Sequence, residues 1–166
     1  MKKVLYLAAG NGIINHSDYE ITYQDKYVNR DLGDDMLEID LTNYDIIIAT
    51  PPCNYWSRAN YRRETSKYSQ ETKHLLPAIL MKLCDQSKPF IVENVINKKR
   101  MADIISLSNC YYYEHGRHCY FSNVILNLST VEQNVEHIQN IWSKDHLRQG
   151  GKNVKNVFEY FLESLK

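Results

Sequence analysis

Four short apolar runs, each meeting a turn or a reactive side chain at its end, restrict this chain more than any other feature of its sequence. Lys3 to Ala9 runs into Gly10-Asn11-Gly12, Glu20 to Tyr23 leads to Asp25, Tyr44 to Ala49 enters Thr50-Pro51-Pro52-Cys53, and Pro89 to Val95 carries Glu93-Asn94 near its end. Strands that are apolar throughout, rather than alternating, are buried on both faces, the pattern of a parallel sheet covered by helices. Between the third and fourth runs, Leu75, Leu76, Ile79, Leu80 and Leu83 recur at helical spacing, which predicts a helix over Thr72 to Asp85 and a β-α-β crossover. Tyr111 to Tyr113 and His118 to Leu128 are predicted as later strands, paired antiparallel across Glu114-His115-Gly116. Val154, Val157, Phe158, Phe161, Leu162 and Leu165 predict a closing amphipathic helix. The expected fold is one α/β domain over residues 1–166, built on a single doubly wound, mostly parallel sheet.

Size and charge narrow the function classes. A chain of 166 residues supports one core, and no apolar run approaches the ~18 residues of a membrane span. The first residues lack a signal peptide's long apolar stretch, so a cytoplasmic location is expected. The four cysteines, Cys53, Cys84, Cys110 and Cys119, have neither CxxC nor zinc-finger spacing, so free thiols and no metal are expected. Twenty cations balance twenty acids, so contact with a nucleic acid has to come from local patches.

Ligands of open α/β sheets bind outside the carboxyl ends of the strands, and Gly10-Asn11-Gly12, Pro51-Pro52-Cys53 and Glu93-Asn94 all fall there. Two prolines fix the backbone ahead of Cys53 and present its thiol on a stiff turn. An isolated cysteine is more often a small buried hydrophobe, but this context favours a nucleophile. Arg58, Arg62 and Arg63 follow closely and are candidates either for thiolate support or for phosphate contact. Glu93 ends an apolar strand, where burial is expected to raise its pKa and let it hold or deliver a proton; read alone, it could equally cap the next turn. Gly10 and Gly12 permit close approach of a ligand to the backbone. Asp25 could accept from ribose hydroxyls, and Asp40 from an adenine amino group. The segment Tyr55 to Tyr68 interleaves arginines with aromatic rings, as a loop that touches nucleic acid or a merely solvated loop would.

Taken in order, Gly10-Asn11-Gly12, Pro51-Pro52-Cys53-Asn54-Tyr55-Trp56-Ser57, Lys88 through Val95 and Gly116-Arg117-His118 through Asn123 resemble the DNA cytosine-5 methyltransferase family, most closely its small bacteriophage-type members. The resemblance implies a Rossmann-like fold, S-adenosylmethionine as methyl donor and DNA as substrate. It further implies that Cys53 attacks C6 of a flipped cytosine, that Glu93 engages N3, that Asn94 fixes the turn and that Arg117 holds the base. Gly10, Gly12, Asp25, Asp40 and Pro51 would line the donor pocket, and Asn54, Ser57, Arg58, Arg62 and Arg63 would meet the substrate. Methylation of phage DNA against host nucleases is the role that follows.

The sequence departs from the family in four places. Asn54 replaces the usual glutamine, and His115, Arg117 and Cys119 stand at a glutamine-arginine-arginine element. Few residues separate Gly12 from Ile21, where a helix is usual, and no recognition domain follows Asn123, so sequence choice would fall to loops, a protein partner or a homodimer. Two other readings stay open: a methyltransferase for free cytosine nucleotides or single strands, and an inactive scaffold that binds or regulates.

Overall fold

In the computed structural model, which describes residues 1–133 and 144–166 with the side chains of 144–150 excepted, the apolar runs become one mixed six-stranded sheet. Its strands are β1 Lys2–Leu7, β2 Tyr19–Tyr23, β3 Ile46–Ala49, β4 Phe90–Val95, β5 Tyr111–His115 and β6 His118–Ser122, in the spatial order β2-β1-β3-β4-β6-β5. The first four pair in parallel, and the β5–β6 hairpin adds antiparallel to β4. Gly116, at φ 61°, makes the hairpin turn.

Side-chain alternation assigns the two faces. Leu5, Leu7, Ile47, Ala49, Phe90 and Val92 point one way and pack with Leu76, Ile79, Leu80 and Leu83 of helix α2, Leu75–Cys84. Val4, Tyr6, Ile46, Ile48 and Ile91 point the other way and pack with Val157, Phe158, Phe161 and Leu162 of helix α4, Lys144–Ser164. No helix lies between β1 and β2, so the helix at the far end of the sequence covers that face. Tyr19 Oη donates to Leu162 O at 2.8 Å, and the Tyr6 and Phe158 rings meet edge to face at 5.6 Å.

Two boundaries differ from the sequence pattern. The helix expected over Thr72 to Asp85 is instead α1, Lys67–Thr72, followed by α2 after a break. Pro77 explains the break: in a continuous helix it would sit in the interior and clash with the Lys73 carbonyl, whereas in α2 it occupies the first turn. The strand expected to reach Leu128 stops at Ser122 because the next side chains satisfy β4 themselves. Ser122 Oγ donates to Phe90 O at 2.6 Å, and Asn123 Oδ1 accepts from Phe90 N at 2.9 Å. The chain then turns away and buries Leu126 and Leu128 against the α4 face. A short helix α3, Ala102–Leu107, links β4 to the hairpin. Among the described residues no helix is long and apolar enough to cross a membrane.

Phe161 is fully buried, whereas Leu107 is 83% exposed. Phe161→Ala is expected to lower unfolding free energy by about 3–5 kcal/mol in urea titrations, and Leu107→Ala by under about 0.5 kcal/mol.

Candidate active site

From β1 the chain moves outward to β2 and then returns to place β3 on the other side of β1, so the winding reverses between β1 and β3. A crevice outside the carboxyl ends of the strands is expected at that point. Leu7 pairs with Ala49 and Ala49 with Val92, so the segments following β1 and β3 and the end of β4 share one edge.

The turn after β1 enters the left-handed region twice, at Ala8 (φ 51°) and Gly10 (φ 54°). For alanine this costs about 1 kcal/mol or more, and side chains from the neighbouring strand ends offset it. Gln24 Oε1 accepts from Ala8 N at 2.9 Å, while Thr50 Oγ1 donates to Ala8 O at 2.7 Å. Arg30 lies 4.1 Å over the Tyr23 ring and donates to Gly10 O at 2.6 Å and Gly12 O at 3.1 Å. The two glycines have different reasons to be there. A Cβ at Gly12 would stand 2.9 Å from Ala9 O and 3.0 Å from Tyr6 Oη, whereas a Cβ at Gly10 would meet nothing within 4 Å.

Asp25 is nearly buried and accepts three backbone N–H groups: Gly10 at 2.8 Å, Tyr27 at 2.8 Å and Val28 at 3.0 Å. Of a carboxylate's roughly four acceptor positions, one is left for a ligand. Asp40 requires a correction. It lies towards the amino-terminal edge of the sheet, where Lys82 and Lys88 bond the Leu37, Ile39 and Leu41 carbonyls around it, away from Cys53. Hydrogen bonds from Thr42 N and Oγ1, with these lysines nearby, hold its carboxyl below the usual range. It therefore caps a turn and cannot reach a ligand at the carboxyl edge.

Beyond β3, Cys53 O accepts from Trp56 N at 3.0 Å and Ser57 N at 2.9 Å, which coils the segment into a helical turn. Fully buried Asn94 ties this turn to β4: its Nδ2 donates to Pro51 O at 3.2 Å and its Oδ1 accepts from Val95 N at 2.9 Å. Asn97 Nδ2 adds a bond to Trp56 O at 2.8 Å. Cys53 is open to solvent, but the protein around it pushes its thiol up to about 11, and the Glu93 carboxylate pushes in the same direction. The two groups thus lie within electrostatic reach of each other.

No arginine contributes to the Cys53 shift. Arg63 donates to Tyr55 O and Ser57 O, Arg62 stacks at 5.4 Å on Tyr61, and Arg58 lines a cleft farther along the edge. The thiolate-support role considered for them is therefore not what this geometry provides. Asn54 is exposed, and its carbonyl accepts from Asn60 Nδ2 at 2.7 Å.

The Glu93 side chain, 12% exposed, meets His118 Nδ1 at 2.8 Å. Val95 pairs with His118, so Glu93 and His118 are diagonal neighbours across the β4–β6 ladder. With its proton on Nδ1 the imidazole donates to the carboxylate and fixes its direction. Arg117 sits at the hairpin turn, and its carbonyl accepts from Ile96 N at 3.4 Å. The other two residues of the altered element turn inward: Cys119 Sγ donates to Val95 O at 3.3 Å, and His115 Nε2 lies 3.1 Å from Val131 O.

His118, Gln24 and Thr50 were missed by the sequence reading. So was Tyr68 of α1, which pairs with Tyr27 at 6.2 Å and lies in electrostatic reach of Cys53 and Asp25. His118, Thr50 and Tyr68 lie inside segments already singled out, whereas Gln24 carried no local hint. Among the described residues no three His, Cys, Asp or Glu side chains gather as a metal site.

Because the thiol titrates near 11, alkylation of Cys53 by iodoacetamide is expected to be slow at neutral pH and to rise through that range. Glu93→Gln removes the repelling carboxylate, so its profile is expected to shift to lower pH. Intact-mass spectrometry of a chain whose other three cysteines are replaced by serine measures both profiles. No protein-family model matches this chain, and no curated protein does.

Proposed function

We propose that the chain is an S-adenosylmethionine-dependent DNA cytosine-C5 methyltransferase on a Rossmann-like sheet. The observation that carries this reading is that an exposed Cys53 and a histidine-held Glu93 stand at the ends of neighbouring parallel strands on one sheet edge, within electrostatic reach of each other. Four parallel strands with a reversal of winding beside the site support the fold assignment.

The residues after β1 and β2 fit a methyl donor in part. Gly10 leaves open space over a left-handed turn, Asp25 keeps one acceptor position, and Pro51 faces the same edge; Asp40 is not part of this set. When bound, the donor supplies a methyl group activated by its sulfonium centre. In the resting protein the Cys53 thiol keeps its proton. On attack at C6 that proton passes to the Glu93 carboxylate, which delivers it to N3 as electron density moves to C5. His118 holds the carboxylate in line, Asn94 sets the height of the Pro51–Cys53 turn, and Arg117, with Asn54 and Ser57, bounds the space for the base.

A second reading keeps the scaffold and drops the chemistry, leaving a binding or regulatory protein. Its support is the raised thiol, with no arginine among the groups that shift it. Incubation with isotope-labelled S-adenosylmethionine and cytosine-containing DNA separates the two. Transfer to DNA is expected, falling to background in Cys53→Ala and by about 10²-fold or more in Glu93→Gln. Calorimetry that detects no donor binding at high concentration, together with no transfer, would favour the scaffold.

A further inference from the structure

Beside the Cys53 turn lies a cleft of about 840 Å³ whose walls are Arg58 and Arg63 from the segment after β3, the Ile96 to Arg100 segment after β4, and Glu114 at the end of β5. Five cations face one carboxylate there, in a chain whose total charge is zero. Such segregation in a neutral protein points to a local anionic partner.

We infer that this cleft holds the phosphodiester backbone of the nucleic-acid strand that carries the target cytosine, an inference that rests on the methyltransferase reading above. Several features suit it to a backbone rather than to a single anion. The cleft is walled by two separate loops, and its cations are held in different ways. Arg63 is fixed by the Tyr55 and Ser57 carbonyls, Lys98 reaches Glu114 at 3.0 Å, and Arg100 reaches exposed Glu64 at 3.5 Å. Arg58 and Lys99 are exposed and have no carboxylate partner among the described residues. Exposed pairs of the Lys98 and Arg100 kind are weak enough to be exchanged for phosphate.

The cleft is also joined to the candidate site by structure. Its walls continue the Cys53 turn and the Glu93-Asn94 strand end, and the Asn97 bond to Trp56 O pins one wall to the other. Lys98, Lys99 and Arg100 would therefore anchor the strand while Cys53 and Glu93 act on one of its bases. Sequence-independent phosphate contact of this kind positions a strand without reading it.

Anisotropy of a fluorescein-labelled, cytosine-containing 12-nucleotide single strand, titrated without methyl donor at several NaCl concentrations, tests the cleft. Log affinity is expected to fall linearly with log salt, and the Lys98→Ala/Lys99→Ala variant to flatten the slope by about 1.4 and to weaken binding roughly tenfold at low salt. Lys99→Glu is expected to weaken binding as well, while Lys152→Ala/Lys155→Ala on α4 leaves it unchanged. Equal affinity and slope for wild type and the Lys98/Lys99 variant, with circular dichroism showing both folded, would overturn the cleft assignment, as would absence of binding at 20 mM salt (about a 20 Å Debye length). Salt-dependent binding that needs Lys98 and Lys99, found together with no methyl transfer, would sustain the cleft and remove the enzymatic reading.

Discussion

Parallel pairing of β1, β3 and β4 is the constraint from which the rest follows. These strands are too short and too apolar to be stable unless every backbone group is paired and both faces are covered. Once Leu7, Ala49 and Val92 are brought level, the chain segments that follow them emerge side by side. A strained turn, a proline-stiffened turn and a carboxyl-bearing strand end then occupy one edge without any of them being selected for the others' company.

What keeps that edge in one shape is a small set of polar side chains reaching across strand ends. Gln24, Thr50, Asp25 and Arg30 hold the turn after β1, and Asn94 and Asn97 hold the segment after β3. Each spends its hydrogen bonds on backbone groups that no strand or helix can satisfy. These bonds exist only in the folded chain, between residues far apart in sequence, so the edge and the sheet form together. The same economy places Glu93 under the direction of His118, a pairing decided by register across the hairpin and not by proximity in sequence.

The strands were legible because complete burial leaves an unmistakable apolar run, and the closing helix because α4 shows its apolar face at helical spacing. The break between α1 and α2 was present in the sequence as Pro77 but is overridden to the eye by the regular leucines around it. Asp40 was misplaced for a simple reason: a segment only a few residues ahead of a parallel strand leads into its amino end, opposite the edge where ligands bind. The arginines after Cys53 were judged by closeness along the chain, whereas carbonyls of their own loop and a neighbouring ring claim two of them. His118, Gln24 and Thr50 act through tertiary pairing alone, which no single segment announces.

Coverage of the sheet's second face by α4 has a consequence for biosynthesis. Tyr6, Ile48 and Ile91 come from strands made early, yet the side chains that cover them belong to residues 157–162. The Lys2 ammonium bonds the Leu165 carbonyl at 3.3 Å, so the first strand and the last turn complete each other. During translation the nascent sheet therefore leaves the ribosome with one greasy side bare, and it stays open to chaperones or to unwanted neighbours until the final helix clears the exit tunnel.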